Sequence, residues 1–434
     1  MSFLRKAVLV NSTQFICLGI GVLQTAILSR VLGPAGIGQY AVILSALMLA
    51  VQFSSLGFPM SFLYHSRHDP GNTNTYRINA VWVMLLLGTI GGIATALIIN
   101  FNPAYFGEVS GVVLIGVVVY IPVVLQSVIT RNNLMIAIEA KRLSLMQLAV
   151  AVIGAGLVLL LYAIGSLGVS QALFCFFAMA ATCLLFGAYW MRKDVDFSVL
   201  PKWKTSAKLG LMGIRLSSTD LMVLVNGQLN ILIIKYLIDN FESVGFFSRG
   251  QRVAMLAVTA GSAVMPLLFS RWAAIKKEQL SRHVEKVMRF ASTVAIIMIF
   301  AILLLGKWII LILYGKQFLP ALVPMMILLP GTVLYLVSSA LIRLLGSRGK
   351  PEIAALMLFC GAIINAGLSW VLIPTIGING AAIAATTGYT ALLVSLMVTV
   401  KIRFKVRVLH CVGLTINDIK AIGKSLRHKD SALS

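Results

Sequence analysis

The chain is poor in charge, and poorest in negative charge. Asp, Glu, Lys and Arg together make 11% of its 434 residues, and only 13 of these are acidic. A soluble domain carries roughly 25% charged residues. A chain that is instead 59% apolar, with a mean hydropathy of +0.96, cannot fold in water without exposing large apolar surface. Cysteine is equally sparse. The five (Cys17, Cys175, Cys183, Cys360 and Cys411) have no CxxC or metal-ligand spacing, and the first four lie inside apolar runs, so they read as small core residues. The five histidines (His65, His68, His283, His410 and His428) fall in polar connections or the tail. No HExxH, GxSxG or Walker loop occurs. No catalytic residue, metal site or cofactor is therefore assigned, and the chain reads as a non-enzyme.

What the sequence does hold is a series of apolar runs near 7–29, 40–63, 79–100, 110–135, 145–165, 169–190, 212–238, 244–269, 290–313, 320–342, 353–374 and 380–400. Each is long enough to cross a hydrocarbon core about 30 Å thick. The expected fold is an all-α polytopic membrane protein with about twelve transmembrane helices. The stretch from Phe290 to Tyr314 reads either as one long helix or as a helix with a re-entrant turn around Gly306 and Lys307. Arg5 and Lys6 precede the first run, which continues to about Leu28 without an A-x-A site, so it is expected to be a retained helix.

The formal charge of +23 would point to nucleic acid in a soluble protein. Here its distribution explains it. With the N-terminus inside, 29 Lys and Arg fall on cytoplasmic connections and termini against three (Arg30, Lys307 and Lys316) on outer ones, an asymmetry that sets both termini in the cytoplasm. No nucleic-acid partner is expected. The outer connections are short, which excludes a catalytic extracytoplasmic domain and places function inside the bundle or at its mouths. The tail from Lys401 to Ser434 is basic and partly amphipathic, suited to the inner leaflet or to assembly partners.

An internal repeat divides the chain. A shift of 207 sets Gly38 on Gly245, Tyr40 on Phe247, Pro59 on Pro266 and Phe62 on Phe269; a shift of 212 sets Arg131 on Arg343, Gly165 on Gly377 and Gly168 on Gly380. The expected organisation is an N-terminal six-helix lobe (1–191), a cytoplasmic linker (192–208), a C-terminal six-helix lobe (209–402) and a basic tail (403–434). Two lobes with an even number of helices point the same way and enclose a central cavity that rocking opens to alternate sides.

Polar side chains within spans are expensive and by default face the bundle interior. The seventh run is richest, with Arg215, Asp220, Asn226, Gln228, Asn230 and Lys235. At 100° per residue, Arg215, Asp220, Asn226, Gly227 and Asn230 share an arc of about 140°. The eighth run adds Arg249 and Arg252, one turn apart; the first adds Asn11, Gln14 and Thr25, with Arg30 at its outer end. The expected cavity residues are Arg249, Arg252, Arg215, Lys235, Arg30, Asn226, Asn230, Asn11 and Gln14. Against this, Arg30 and Lys235 sit where they can snorkel to headgroups, and Asp239 or Glu242 can pair with Lys235 or Arg249. Asp220 is the carboxylate available for proton or sodium coupling, and Pro59 and Pro266, late in matched runs, are candidate hinges. A cavity lined by Arg and amides favours an anionic, hydroxyl-rich ligand, whereas an exporter of organic cations calls for acidic residues.

The run Leu28-Ser29-Arg30-Val31-Leu32-Gly33-Pro34-Ala35-Gly36-Ile37-Gly38-Gln39-Tyr40 resembles the polysaccharide-exporter family, the Wzx-type O-antigen flippases. These share a superfamily (MOP) with the multidrug and toxin extrusion (MATE) transporters and the lipid II flippase. Ser243-Val244-Gly245-Phe246-Phe247 resembles a second copy of the turn, and Ile373-Pro374-Thr375-Ile376-Gly377-Ile378-Asn379-Gly380-Ala381-Ala382 the lead into the last helix. The resemblance implies a two-lobed carrier. It moves an undecaprenyl-pyrophosphate-linked oligosaccharide across the bacterial inner membrane by alternating access, with a cationic lumen for pyrophosphate and acidic sugars. Membrane lipid, a polysaccharide polymerase and a chain-length regulator are the implied partners. Asn230 stands where the family often has Asp, which weakens an ion-coupling role at that position. An ion-coupled multidrug antiporter on the same fold, and a membrane glycan polymerase or ligase, are the alternatives.

Overall fold

In the bilayer interior every backbone N–H and C=O must be satisfied within its own segment, which confines a chain of this composition to helices. The computed structural model describes residues 3–137, 139–191, 201–262 and 277–404. Among them the helices are α1 (Phe3–Ser55), α2 (Phe58–His68), α3 (Thr73–Phe101), the single turn α4 (Pro103–Phe106), α5 (Gly111–Ile136), α6 (Ala140–Ala163) and α7 (Val169–Met191). There follow α8 (Trp203–Ile238), α9 (Phe241–Ser262), α10 (Lys277–Leu313), α11 (Leu322–Ser347), α12 (Pro351–Ile376) and α13 (Ile378–Phe404). Ten helices are long and apolar enough to cross a membrane. One of these, α1, contains two of the expected spans. The charges of α9 keep it out of the ten, and it corresponds to the eighth span; with the two arms of α1 counted separately and the short α2 and α4 set aside, each of the twelve runs has its helix among the described residues.

The 53 residues of α1 would reach about 80 Å as a straight helix, far beyond the bilayer core. The chain turns at Gly33, whose φ of 65° and ψ of −179° are non-helical, and Pro34 restarts the helix. A proline loses nothing there, because the first N–H groups of a helix have no partner in any case. The second arm stops at Ser55, earlier than the run of apolar residues. Leu56 and Gly57 both have positive φ, and Pro59 lies in the first turn of the short helix α2. Pro59 therefore starts a helix and does not kink one. Pro266, its partner in the repeat, lies outside the described residues, as do 192–200 of the expected linker and 405–434 of the tail. The re-entrant turn considered at Gly306 and Lys307 is absent: α10 runs through both to Leu313. Within the expected linker, α8 already begins at Trp203. Its start is tied to the first half by the fully buried Asn79, whose Oδ1 accepts from Lys202 N (2.7 Å) and Ser206 Oγ (2.9 Å).

Two pairs of glycines set how closely the halves approach. A Cβ on Gly38 would collide with the Phe241 carbonyl, and a Cβ on Gly245 with the Pro34 carbonyl. Adding 207 to 34 and 38 gives 241 and 245, so one contact is the repeat image of the other. At the far end of the second arm of α1, Gly57 and Gly213 meet with equally little room. On the side of the Gly33 turn the halves are also bridged by hydrogen bonds. Arg30 Nη2 donates to Ile312 O (2.5 Å), Tyr105 OH to Leu232 O (2.7 Å) and Gln317 Nε2 to Ser29 O (3.3 Å). Where α8 passes into α9, Asp239 (φ 53°) caps the helix and pairs with Lys235. Lys235 is 2% exposed and Asp239 73%, and the ammonium also lies 4.1 Å from the centroid of the Phe241 ring.

Substitutions at three positions test this frame by thermal unfolding of the purified protein. Gly38→Ala is expected to cost about 1–3 kcal/mol through overpacking, while Gly156→Ala, where a Cβ meets nothing within 4 Å, is neutral or mildly stabilising. Asp239→Ala leaves a buried cation unpaired and puts alanine at positive φ; a loss of about 1–3 kcal/mol is expected, with a smaller loss for Asp239→Asn.

Candidate functional site

Between the glycine crossings, the two arms of α1 with α7, α8, α9, α11 and α13 enclose a central cavity of about 550 Å³. Arg249 and Arg252 both line it, because residues three apart on α9 share a face. Arg249 is 7% exposed; its Cζ lies 5.5 Å from the centroid of the Tyr314 ring, and its Nε is buried without a hydrogen-bond partner. Arg252 opens onto the cavity. Among the described residues no carboxylate lines this space or ion-pairs with either arginine. Amides are fixed around them. Ser45 Oγ donates to Gln228 Oε1 (2.8 Å), joining α1 to α8, and Gln251 Nε2 donates to Gly227 O (3.2 Å), joining α9 to α8. Tyr40, Tyr335 and Tyr389 complete the polar part of the wall. Two guanidinium groups without a counter-charge, in a partly apolar enclosure ringed by amide and hydroxyl groups, make a site for an anion that also carries hydroxyls.

The other sequence-predicted residues separate. Asn226 lines the cavity, and its Nδ2 donates to Met222 O (2.8 Å) and Leu358 O (3.2 Å). Asn230 does not line it; it is fully buried against α12, where Ser369 Oγ donates to its Oδ1 (3.1 Å). Arg215 pairs with Glu352 at the start of α12, and Thr219 Oγ1 donates to Pro351 O (3.0 Å). Much of the polar stripe of α8 thus serves its packing on α12. Lys235 and Arg30 also lie outside the cavity wall, engaged with Asp239 and Ile312 O. Glu242 forms no ion pair with Arg249. Asp220 faces α11, in the field of Arg343 and near Tyr335. Gln14 lines a second space inside the first half, and Asn11 lies in α1 among residues whose side chains are outside the description.

Sequence reasoning passed over the cavity tyrosines, Gln251 and Arg131. Arg131, which the charge distribution alone sets among the cytoplasmic cations, lies near the end of α5 and also lines the second space. Its match with Arg343 in the repeat was the available signal. His65 and Asp69, outside the spans, form a local cluster with Tyr76 and Lys208. Burial, then the nearby Lys208, pushes the His65 pKa down, and hydrogen bonds from Asn72 and Tyr76 hold Asp69 below the usual carboxylate range. Both are accounted for by the packing of α2 on the starts of α3 and α8.

Comparison with known proteins places this geometry. The profile of the family described as polysaccharide biosynthesis protein matches residues 27–323, more than half of the chain. A curated relative, the uncharacterized membrane protein MJ1068 of Methanocaldococcus jannaschii, is 29% identical over 137 residues, 32% of this chain and 27% of that protein. The chain thus spans only about a quarter of that relative in the match. Among solved structures, an inward-facing multidrug resistance MATE transporter of the MOP superfamily superposes with a TM-score of 0.73 at 14% identity, covering 92% of this chain and 98% of that one. The lipid II flippase MurJ, inward closed, gives 0.71 at 13%, covering 91% and 87%. A MOP superfamily transporter from Pyrococcus furiosus, described as having a binding pocket of reverse polarity, gives 0.64 at 16%, covering 92% and 95%. Identities this low speak for the fold alone. The chain has the all-α, multi-pass membrane fold of the MATE and MOP transporters, and by its sequence it belongs to the polysaccharide biosynthesis protein family.

Proposed function

We propose that this protein is a flippase that carries an undecaprenyl-pyrophosphate-linked oligosaccharide, an O-antigen or related surface-polysaccharide unit, from the inner to the outer leaflet of the bacterial inner membrane. The observation that carries the reading is the pair Arg249 and Arg252, without a carboxylate, in a cavity between the halves of the chain. Bidentate guanidinium groups match diphosphate oxygens, and the amides and tyrosines around them match sugar hydroxyls. The fold similarity to a lipid II flippase and the polysaccharide family support the same class. A cavity with no carboxylate among its described lining residues disfavours an exporter of organic cations. Both termini are cytoplasmic in this reading, as the distribution of Lys and Arg requires.

The cycle is alternating access. Residues 1–191 and 209–402 act as lobes that rock about the headgroup site while the polyprenyl chain stays in lipid. Opening on the side of the Gly33 turn breaks the hydrogen bonds made by Arg30, Tyr105 and Gln317. Asp220, opposite Arg343, is the carboxylate placed to take up a proton or sodium ion during the cycle. A polysaccharide polymerase and a chain-length regulator receive the delivered unit.

Deleting the coding sequence is expected to abolish the surface glycan and to leave its complete lipid-linked unit on the inner leaflet, read by gel and sugar analysis of both fractions. Complementation with Arg249→Gln/Arg252→Gln is expected to lower surface glycan about tenfold or more at unchanged protein level, as loss of charge-assisted hydrogen bonds predicts. Full export by that double variant would remove the site assignment; an intact surface glycan with no accumulated intermediate in the deletion strain would remove the function.

A further inference from the structure

The first half of the chain holds a second space that the translocation reading does not use. Helices α1, α5, α6 and α7 enclose a compartment of about 450 Å³. Its wall shares Gly21, Gln24, Phe176 and Met179 with the central cavity, so the two spaces adjoin across four residues. One of the four has no side chain, and a Cβ on Gly21 would meet nothing within 4 Å.

The compartment contains a cation without a counter-charge. Arg131 lines it, and among the described residues no carboxylate lines it or ion-pairs with Arg131. Gln14, Ser127 and Gln147 are polar neighbours in the wall, and Gln147 Oε1 is buried with no hydrogen-bond partner. The remaining wall is mostly apolar, and the exposed Arg131 side chain is the one charge among the described residues that an anion entering the space meets.

The repeat sharpens the point. Arg343 is the image of Arg131 at the shift of 212, and it stands in the field of Asp220. The image of Asp220 at the shift of 207 is Thr13, a buried hydroxyl that donates to Leu9 O at 2.9 Å. The second half keeps both arginine and acid; the first keeps only the arginine. A cation neutralised internally in one copy of the repeat is left in the other for a ligand.

We propose that this compartment is a subsite for a carboxylate-bearing sugar. The cargo headgroup lies across both spaces, with its diphosphate at Arg249 and Arg252 and the carboxylate of an acidic sugar at Arg131, while Gln14, Ser127 and Gln147 take hydroxyls. The proposal rests on the flippase reading and adds that the carried unit is an acidic glycan with two separated anionic centres.

The test uses the full chain purified in detergent, with thermal stabilisation read for three probes: cellobiouronic acid, neutral cellobiose and inorganic pyrophosphate. A ligand that binds the folded state raises its stability by mass action. Cellobiouronic acid and pyrophosphate are each expected to raise the melting temperature, and cellobiose to raise it less. Arg131→Gln is expected to remove the shift from cellobiouronic acid, at least a tenfold loss in apparent affinity, and to keep the shift from pyrophosphate. Arg249→Gln/Arg252→Gln is expected to do the reverse. Ala151→Phe, which fills the compartment with Arg131 in place, gives the same selective loss and stands in if Arg131→Gln does not fold. The proposal is overturned if cellobiouronic acid gives no shift, if cellobiose matches it, or if its shift survives both Arg131→Gln and Ala151→Phe. A pyrophosphate shift that survives the Arg249/Arg252 variant counts against the flippase site instead.

Discussion

Everything between the halves of this protein is arranged around the absence of side chains at Gly38 and Gly245. Each glycine lets a backbone carbonyl from the opposite half, of Phe241 or Pro34, come to where a Cβ would stand. Because the two contacts are images of each other in the repeat, they set a pseudo-two-fold relation between the second arm of α1 and α9. That relation brings Arg249 and Arg252 across from Tyr40 and Ser45 and makes the cavity a property of the interface. Small residues at helix crossings are the ordinary means of close association in lipid, where no hydrophobic force draws apolar helices together. Here the same economy determines where the polar site lies.

The cavity also shows how charge is allotted in a chain that has little of it. Arg215, Lys235 and Arg343 each face an acidic residue, Glu352, Asp239 or Asp220. Arg249, Arg252 and Arg131 face none among the described residues and line the two cavities, Arg249 buried and the other two exposed. The scarcity of Asp and Glu is therefore informative locally: the paired cations are taken up by contacts within and between helices, and the unpaired ones are the sites that the proposed function assigns to an anion.

The fold was legible in the sequence because bilayer thickness constrains span length so tightly; all twelve apolar runs correspond to helices. Their ends were less legible. The second arm of α1 stops at Ser55, though apolar residues continue to Leu63, because Leu56 and Gly57 take positive φ and Pro59 restarts the chain as α2, a break that an unbroken apolar run conceals. The site was half legible. Periodicity grouped Arg215, Asn226 and Asn230 on one arc of α8, and they do share a face. Periodicity cannot say which neighbour that face meets, and for most of its length the neighbour is α12. That Arg131 lines the second space was hidden for a related reason. A cation near the end of a span has the same sequence signature whether it anchors the helix in headgroups or turns inward, and only the positions of α1, α6 and α7 around it decide.

The three hydrogen bonds that join the halves beside the Gly33 turn have one property in common: every acceptor is a main-chain carbonyl, of Ile312, Leu232 or Ser29. A carbonyl oxygen cannot be removed by substitution. The chemical identity of this closure therefore resides wholly in three donors, Arg30, Tyr105 and Gln317, while the surfaces that receive them are free to vary in sequence. Over evolutionary time, the ease of opening on that side can be tuned at three codons without disturbing the helices that accept the bonds or the cavity between them.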